Sequence, residues 1–180
     1  MTIRFLDLKS AVACQFVEDL YITAFPTDER RPIYKMYSLY NEEDSPYNIE
    51  VIEEGDQIVG FITYWDFEKF IYIEHFSISG KHRNGGFGKK ALNEFMKKMN
   101  NREVVFEVET EVDEIAVRRI GFYKRIGFVL WDQYPYIQPS YTEAGNPIPM
   151  HLMTSANFDL TKHIDEVVDT LYRKVYRVKE

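Results

Sequence analysis

The stretch that most restricts how this chain can fold runs from Phe76 to Lys90, where an apolar, β-prone run meets a loop with glycines at 85, 86 and 88. A helical segment follows at once, because Ala91, Leu92, Phe95, Met96 and Met99 recur at i, i+3, i+4 spacing. A strand, a glycine-rich turn and a helix in that order make an anion cradle. Gly85, Gly86 and Gly88 let the backbone take positive φ and come close to a ligand, and the helix N-terminus offers N–H groups and the positive end of its dipole. Arg83 adds a planar fork of donors matched to phosphate oxygens. The spacing is neither G-x-G-x-x-G nor G-x-x-x-x-G-K-[ST], which sets aside the two commonest nucleotide loops.

Bulk properties narrow the class. A chain of 180 residues fits one domain, over 1–180, with a sizeable core. Its 13 Phe, 13 Tyr and 2 Trp suit a packed interior and an aromatic-lined cleft. The net charge of −7 argues against a nucleic-acid surface, which needs clustered Lys and Arg, and leans toward a cationic acceptor. The one cysteine, Cys14, lies among Ala13, Phe16, Val17 and Leu20 and reads as a small buried hydrophobe. With no internal disulfide, no long apolar core after Met1 and no run of the roughly 20 residues that span a bilayer, the chain reads as cytoplasmic and not membrane-bound.

The order of elements follows from periodicity and punctuation. A short strand at Arg4–Leu6 precedes a helix capped by Ser10 and stopped by Pro26, and a second helix follows Pro32. Two strands, Asn48–Glu54 and Gln57–Trp65, flank the turn Gly55-Asp56, and Lys69–Ser79 makes a third. After the glycine loop come a strand at Glu103–Glu109, a helix from about Glu114 to Ile126 ended by Gly127, and strands at Phe128–Gln138 and Met150–Phe158. The chain closes on a helix over about 162–177 with a stripe of Ile164, Val167, Val168, Leu171, Tyr172 and Val175, usable as core cover, a lid or a homodimer contact. The layout is α+β.

Arg83-x-x-Gly86-x-Gly88, set between a strand and a helix, resembles the pyrophosphate loop of the GNAT acetyltransferases. Phe122-Tyr-Lys-Arg-Ile-Gly-Phe128 resembles the second motif of the same family, and the resemblance covers roughly residues 1–158. It implies the GNAT acyl-CoA N-acyltransferase fold, with a mixed, mostly antiparallel central sheet flanked by helices, here with an added C-terminal helix. It also implies acetyl-CoA as acyl donor, held by Phe76, Ser77, Ile78, Arg83, Asn84, Gly85, Gly86, Phe87, Gly88, Lys89 and Arg125. The implied reaction is N-acetylation of a primary amine, on a small molecule or a peptide, by direct attack in a ternary complex. Tyr123 falls where the family often has its general acid, and a phenol of pKa near 10 can serve a departing thiolate. The positions where the family often has an Asn and a small residue hold Ala116 and Arg119, so an Asn contact to the pantetheine arm does not carry over.

The residues add their own candidates. Period-2 alternation puts Glu74 on the strand face of Tyr72, Phe76 and Ile78, where desolvation would raise its pKa toward that of a useful base. His75, on the opposite face, and water are the alternatives for that role. Glu107 and Glu109 share one face of their strand, fit either to bind an acceptor ammonium or to form a polar surface. Tyr136 and Gln138, in the Tyr- and Pro-rich run 134–141, suit a rigid ligand wall or simple edge packing. No metal site is expected, since His82, His151 and His163 are scattered singly. Two rival readings are a non-catalytic acyl-CoA sensor and an interaction protein on the same scaffold.

Overall fold

The computed structural model of the protein describes residues 1–142 and 145–178. Its chain forms two compact units, Met1–Thr27 with Pro32–Arg102, and Asp28–Arg31 with Glu103–Glu180.

Unit 1 contains β1 (Thr2–Phe5), α1 (Ala11–Ala24), α2 (Ile33–Tyr40), β2 (Tyr47–Glu54), β3 (Gln57–Asp66), β4 (Ile71–Ile78) and α3 (Phe87–Lys98). Its strands pair antiparallel in the order β1-β2-β3-β4, and Glu54 faces Gln57 across the expected two-residue turn. Ser10 caps α1 by accepting from the Ala13 N–H at 3.3 Å. From that start Ala13, Val17, Leu20 and Tyr21 recur on one buried stripe. Tyr21 meets Phe61 and His75 edge-on, with ring centroids 6.1 and 4.8 Å away, so α1 covers one face of β3 and β4. On α3, Phe95 packs against Tyr64 at 5.1 Å, and Ala91 joins Ile52, Val59 and Ile78 in a buried cluster.

Unit 1 also contains a buried charge. Glu50 has no exposure, accepts from the Tyr64 hydroxyl at 2.8 Å and pairs with Lys98 Nζ at 2.6 Å. A charge in such surroundings is tolerated only when paired and hydrogen-bonded, so the contact fixes where the end of α3 sits against β2.

Unit 2 contains β5 (Val104–Glu109), α4 (Glu114–Arg125), β6 (Phe128–Gln138), β7 (Ile148–Ser155) and α5 (Ile164–Thr170). Its strands pair antiparallel in the order β5-β7-β6. Asp113 caps α4 by accepting from the Ala116 N–H at 2.8 Å, and Gly127, at φ +100°, follows its end. β6 is interrupted: Trp131 faces Leu152 and Tyr136 faces Met150, so residues 132–135 bulge out opposite His151 alone.

The closing helix differs from the continuous one expected over 162–177. α5 spans seven residues and passes into a π-turn, Leu171–Val175. The wider turn buries Val167, Leu171, Val175 and Tyr176, and it moves Tyr172 off the apolar stripe to a half-buried position. Among the described residues no helix is long and apolar enough to cross a membrane.

Candidate active site

The loop between β4 and α3 shows why its residues are what they are. A 3₁₀ turn, Gly80–His82, leads to two positions of positive φ, Asn84 at +64° and Gly86 at +75°. Of the three glycines expected to take that conformation only Gly86 does. Asn84 supplies the other, as asparagine tolerates the left-handed region better than most residues. Gly85 serves by size, since a Cβ there would lie 2.8 Å from the Phe87 ring. Gly88 lies in the first turn of α3.

Gly86 is the N-cap of α3, and no side chain caps that helix. The first N–H groups of a helix have no intrahelical acceptor, so the end presents donors and a positive dipole to whatever lies outside it. Arg83 is exposed, and its Nε donates to the Ile78 carbonyl oxygen at 3.1 Å, which anchors the guanidinium beside the loop. Lys89 is exposed, while Lys90 is drawn to Glu54 Oε1 at 2.7 Å. Just before the loop, Phe76 and Ile78 pair with Ile62 and Gly60. Gly60 went unnoticed in the sequence: a Cβ on it would clash with the Ser77 carbonyl oxygen.

Glu74 departs from simple alternation. The β3–β4 register runs Thr63 to His75 and then Tyr64 to Ile73, which leaves Glu74 as the extra residue of a β-bulge. The bulge brings Glu74 Oε2 to 3.7 Å from His75 Nδ1, and both side chains are buried. His75 Nδ1 also lies 3.1 Å from Thr63 Oγ1. The opposite-face placement expected for these two residues is therefore corrected: a bulged strand does not keep the period of two.

Tyr123, on α4, is packed among Phe106, Phe122 and Phe128, with ring centroids 4.6, 5.2 and 6.1 Å away. Burial pushes its phenol up to about 12, against a smaller opposing pull from Arg119. Arg125, near the end of α4, is exposed. The two carboxylates of β5 have partners within unit 2. Glu109 pairs with Arg119, while Glu107 accepts from Tyr136 and, at 2.6 Å, from Tyr176. Gln138 is buried at 3 % exposure. Tyr172 and Tyr176, which join this group from the π-turn, were missed because a helical stripe hides a change of helix type. Among the described residues no group of three or more His, Cys, Asp and Glu is placed to hold a metal ion.

The sequence model of the acetyltransferase (GNAT) family matches residues 14–128. A solved GNAT-family protein from Bacteroides thetaiotaomicron is 36% identical, with a TM-score of 0.93 over 99% of this chain and 100% of that one. This chain belongs to the GNAT family. The GNAT fold is shared, at 15% identity and TM-score 0.65, by a mutant spermidine N-acetyltransferase from Vibrio cholerae over 86% of this chain and 94% of that one. It is shared again by a GNAT acetyltransferase from Elizabethkingia anophelis with acetyl-CoA bound, at 16% identity and TM-score 0.57 over 86% and 96%. No curated protein sequence matches this one.

Buried tyrosines give this GNAT protein an alkaline limit. Desolvation and nearby carboxylates push the Tyr64 and Tyr136 phenols well above the ordinary value, and Tyr123 rises by burial. Their folded-state values exceed the unfolded one near 10, so the folded chain keeps protons that the unfolded chain releases. This stabilisation is complete below about pH 10 and is lost as pH climbs through the folded values. Urea midpoints should hold level from pH 8 to 9.5 and fall beyond it. A midpoint flat to pH 11.5 would contradict the assignment.

Proposed function

We propose that the protein transfers the acetyl group of acetyl-CoA to a primary amine by direct attack in a ternary complex. The observation that carries this reading is the uncapped N-terminus of α3, entered through Asn84 and Gly86 and flanked by Arg83, in a chain of the GNAT family. In this reading the uncapped N–H groups and the Arg83 guanidinium are the donors that a pyrophosphate requires. In this reading Arg83, Asn84, Gly85, Gly86, Phe87, Gly88 and Lys89 hold the pyrophosphate. The backbones of Phe76, Ser77 and Ile78 align the pantetheine arm, and Arg125 reaches a further phosphate. An acetyl-CoA-bound GNAT relative supports the donor, and a spermidine N-acetylating one supports an amine as acceptor.

Attack of a neutral amine on the thioester carbonyl forms the C–N bond, expels the CoA thiolate and leaves one proton to remove from nitrogen. Glu74 is the proposed acceptor of that proton. Its side chain is covered, so the transfer passes through an intervening water. Tyr123 stabilises the thiolate. With its phenol pushed up to about 12, above an ordinary thiol, full proton transfer to the thiolate runs uphill, so Tyr123 serves as a hydrogen-bond donor and stays protonated. The residues proposed to bind the acceptor, Glu107, Glu109, Tyr136 and Gln138, belong to unit 2.

Arg83→Ala should weaken CoA binding by about 1.5–3 kcal/mol, the range of a charge-assisted contact, as read by calorimetry; an unchanged Kd would remove the loop from the role. Tyr123→Phe should lower kcat by about 10²-fold, as loss of a transition-state hydrogen-bond donor does, and Glu74→Gln by about 10²-fold or more, as loss of a base does, each leaving the CoA Kd within a factor of about two. For the parent protein, kcat should show no falling limb up to pH 10, because the phenol stays protonated there. A Tyr123→Phe protein with parental kcat would leave the ring as core packing only.

A further inference from the structure

Arg83–Gly86 joins the 3₁₀ turn to α3 through two left-handed residues, Asn84 and Gly86. Asparagine tolerates that region without preferring it, so the shape of the loop depends on what packs against it. Ser79 begins that support. Its N–H donates to the Val59 carbonyl oxygen at 2.9 Å, which ties it to β3. Across the 3₁₀ turn its Oγ lies 2.7 Å from His82 Nδ1, and the His82 N–H donates to the Ser79 carbonyl oxygen at 2.9 Å. The His82 ring meets the Phe87 ring edge-on, with centroids 5.7 Å apart. Phe87 in turn packs on the cluster of Ile52, Val59, Ile78 and Ala91, and its ring leaves no room for a Cβ on Gly85.

A chain of contacts therefore runs inside unit 1 from β3 through Ser79, His82 and Phe87 to Gly85, at both ends of the loop. The half-buried imidazole does two things at once. Nδ1 pairs with the hydroxyl, and the ring packs on Phe87. Phenylalanine would keep only the packing, and asparagine only a polar atom near the position of Nδ1. A serine hydroxyl can donate or accept, so the pair forms with either atom as donor.

We propose that Ser79 and His82 are positioning residues for the CoA loop. Joined through Oγ and Nδ1, they hold Asn84 and Gly86 in their left-handed conformations before the cofactor arrives, so that CoA meets a preformed cradle. Ordering done in the free protein does not subtract from the binding free energy. That the cradle takes CoA rests on the function proposed above; that the pair orders it is a property of the protein without CoA.

The test is amide exchange on the full chain without CoA, followed by titration calorimetry with CoA. Exchange is read at His82 and Lys90, whose N–H groups are bonded at the two ends of the loop. Ser79→Ala and His82→Phe should each speed it, and each should weaken CoA binding, by about three- to tenfold, the factor that one hydrogen bond carries. The double variant should be no worse than either single one, because both remove the same bond. Ser79→Thr, which keeps the hydroxyl, should restore parental exchange and affinity. Urea midpoints report folding, and if His82→Phe does not fold, Ser79→Ala against Ser79→Thr carries the comparison. Parental exchange in Ser79→Ala, or effects that add in the double variant, overturns the positioning role. Faster exchange with a CoA Kd that neither these variants nor Arg83→Ala moves refutes the CoA reading and keeps the brace. A Kd moved by Arg83→Ala alone, with exchange unchanged in the Ser79 and His82 variants, does the reverse.

Discussion

Everything proposed for this protein depends on how the backbone leaves β4 and enters α3. The helix needs caps for its first N–H groups, and the chain places a glycine there with no side chain to supply one. Two left-handed residues, Asn84 and Gly86, bend the loop so that the helix end stays open, and the Phe87 ring packs where a Cβ on Gly85 would intrude. An open helix end forgoes about 1 kcal/mol that a Ser or Asp cap would have contributed. A bound anion restores that loss and adds charge-assisted bonds.

The two units use the same device: a tyrosine hydroxyl donating to a carboxylate. In unit 1 the carboxylate is Glu50, fully buried and matched by Lys98, so the result is a structural clamp on α3. In unit 2 it is Glu107, held by two tyrosines and ringed by two more. Phenols orient a carboxylate without neutralising it. Lysine makes Glu50 part of the fold.

Much of this was legible in the chain because it is written locally. The Ser10 cap, the Gly55-Asp56 turn, the stripe of α3 and the Arg83–Gly88 loop each depend on residues within a few positions of one another, where propensity and spacing suffice. What was hidden depends on partners far along the sequence or on a break in period. The bulge at Glu74 arises from pairing with β3, so alternation along β4 alone set Glu74 and His75 on opposite faces. Tyr172 entered the apolar stripe because 3.6-residue spacing was assumed through a π-turn, and Tyr176 was passed over for the same reason. Glu107 and Glu109 looked equivalent from strand parity, but their partners come from distant elements and differ: Arg119 on α4 for Glu109, the Tyr136 and Tyr176 hydroxyls for Glu107.

Amide hydrogen exchange of the full chain with and without CoA tests the central claim most directly, because it reads the N–H groups at the start of α3. The predicted result is slowed exchange from Arg83 to Lys90 on adding CoA, in a pattern that Arg83→Ala weakens. Unchanged exchange over those residues, at CoA concentrations that saturate the protein by calorimetry, would contradict it.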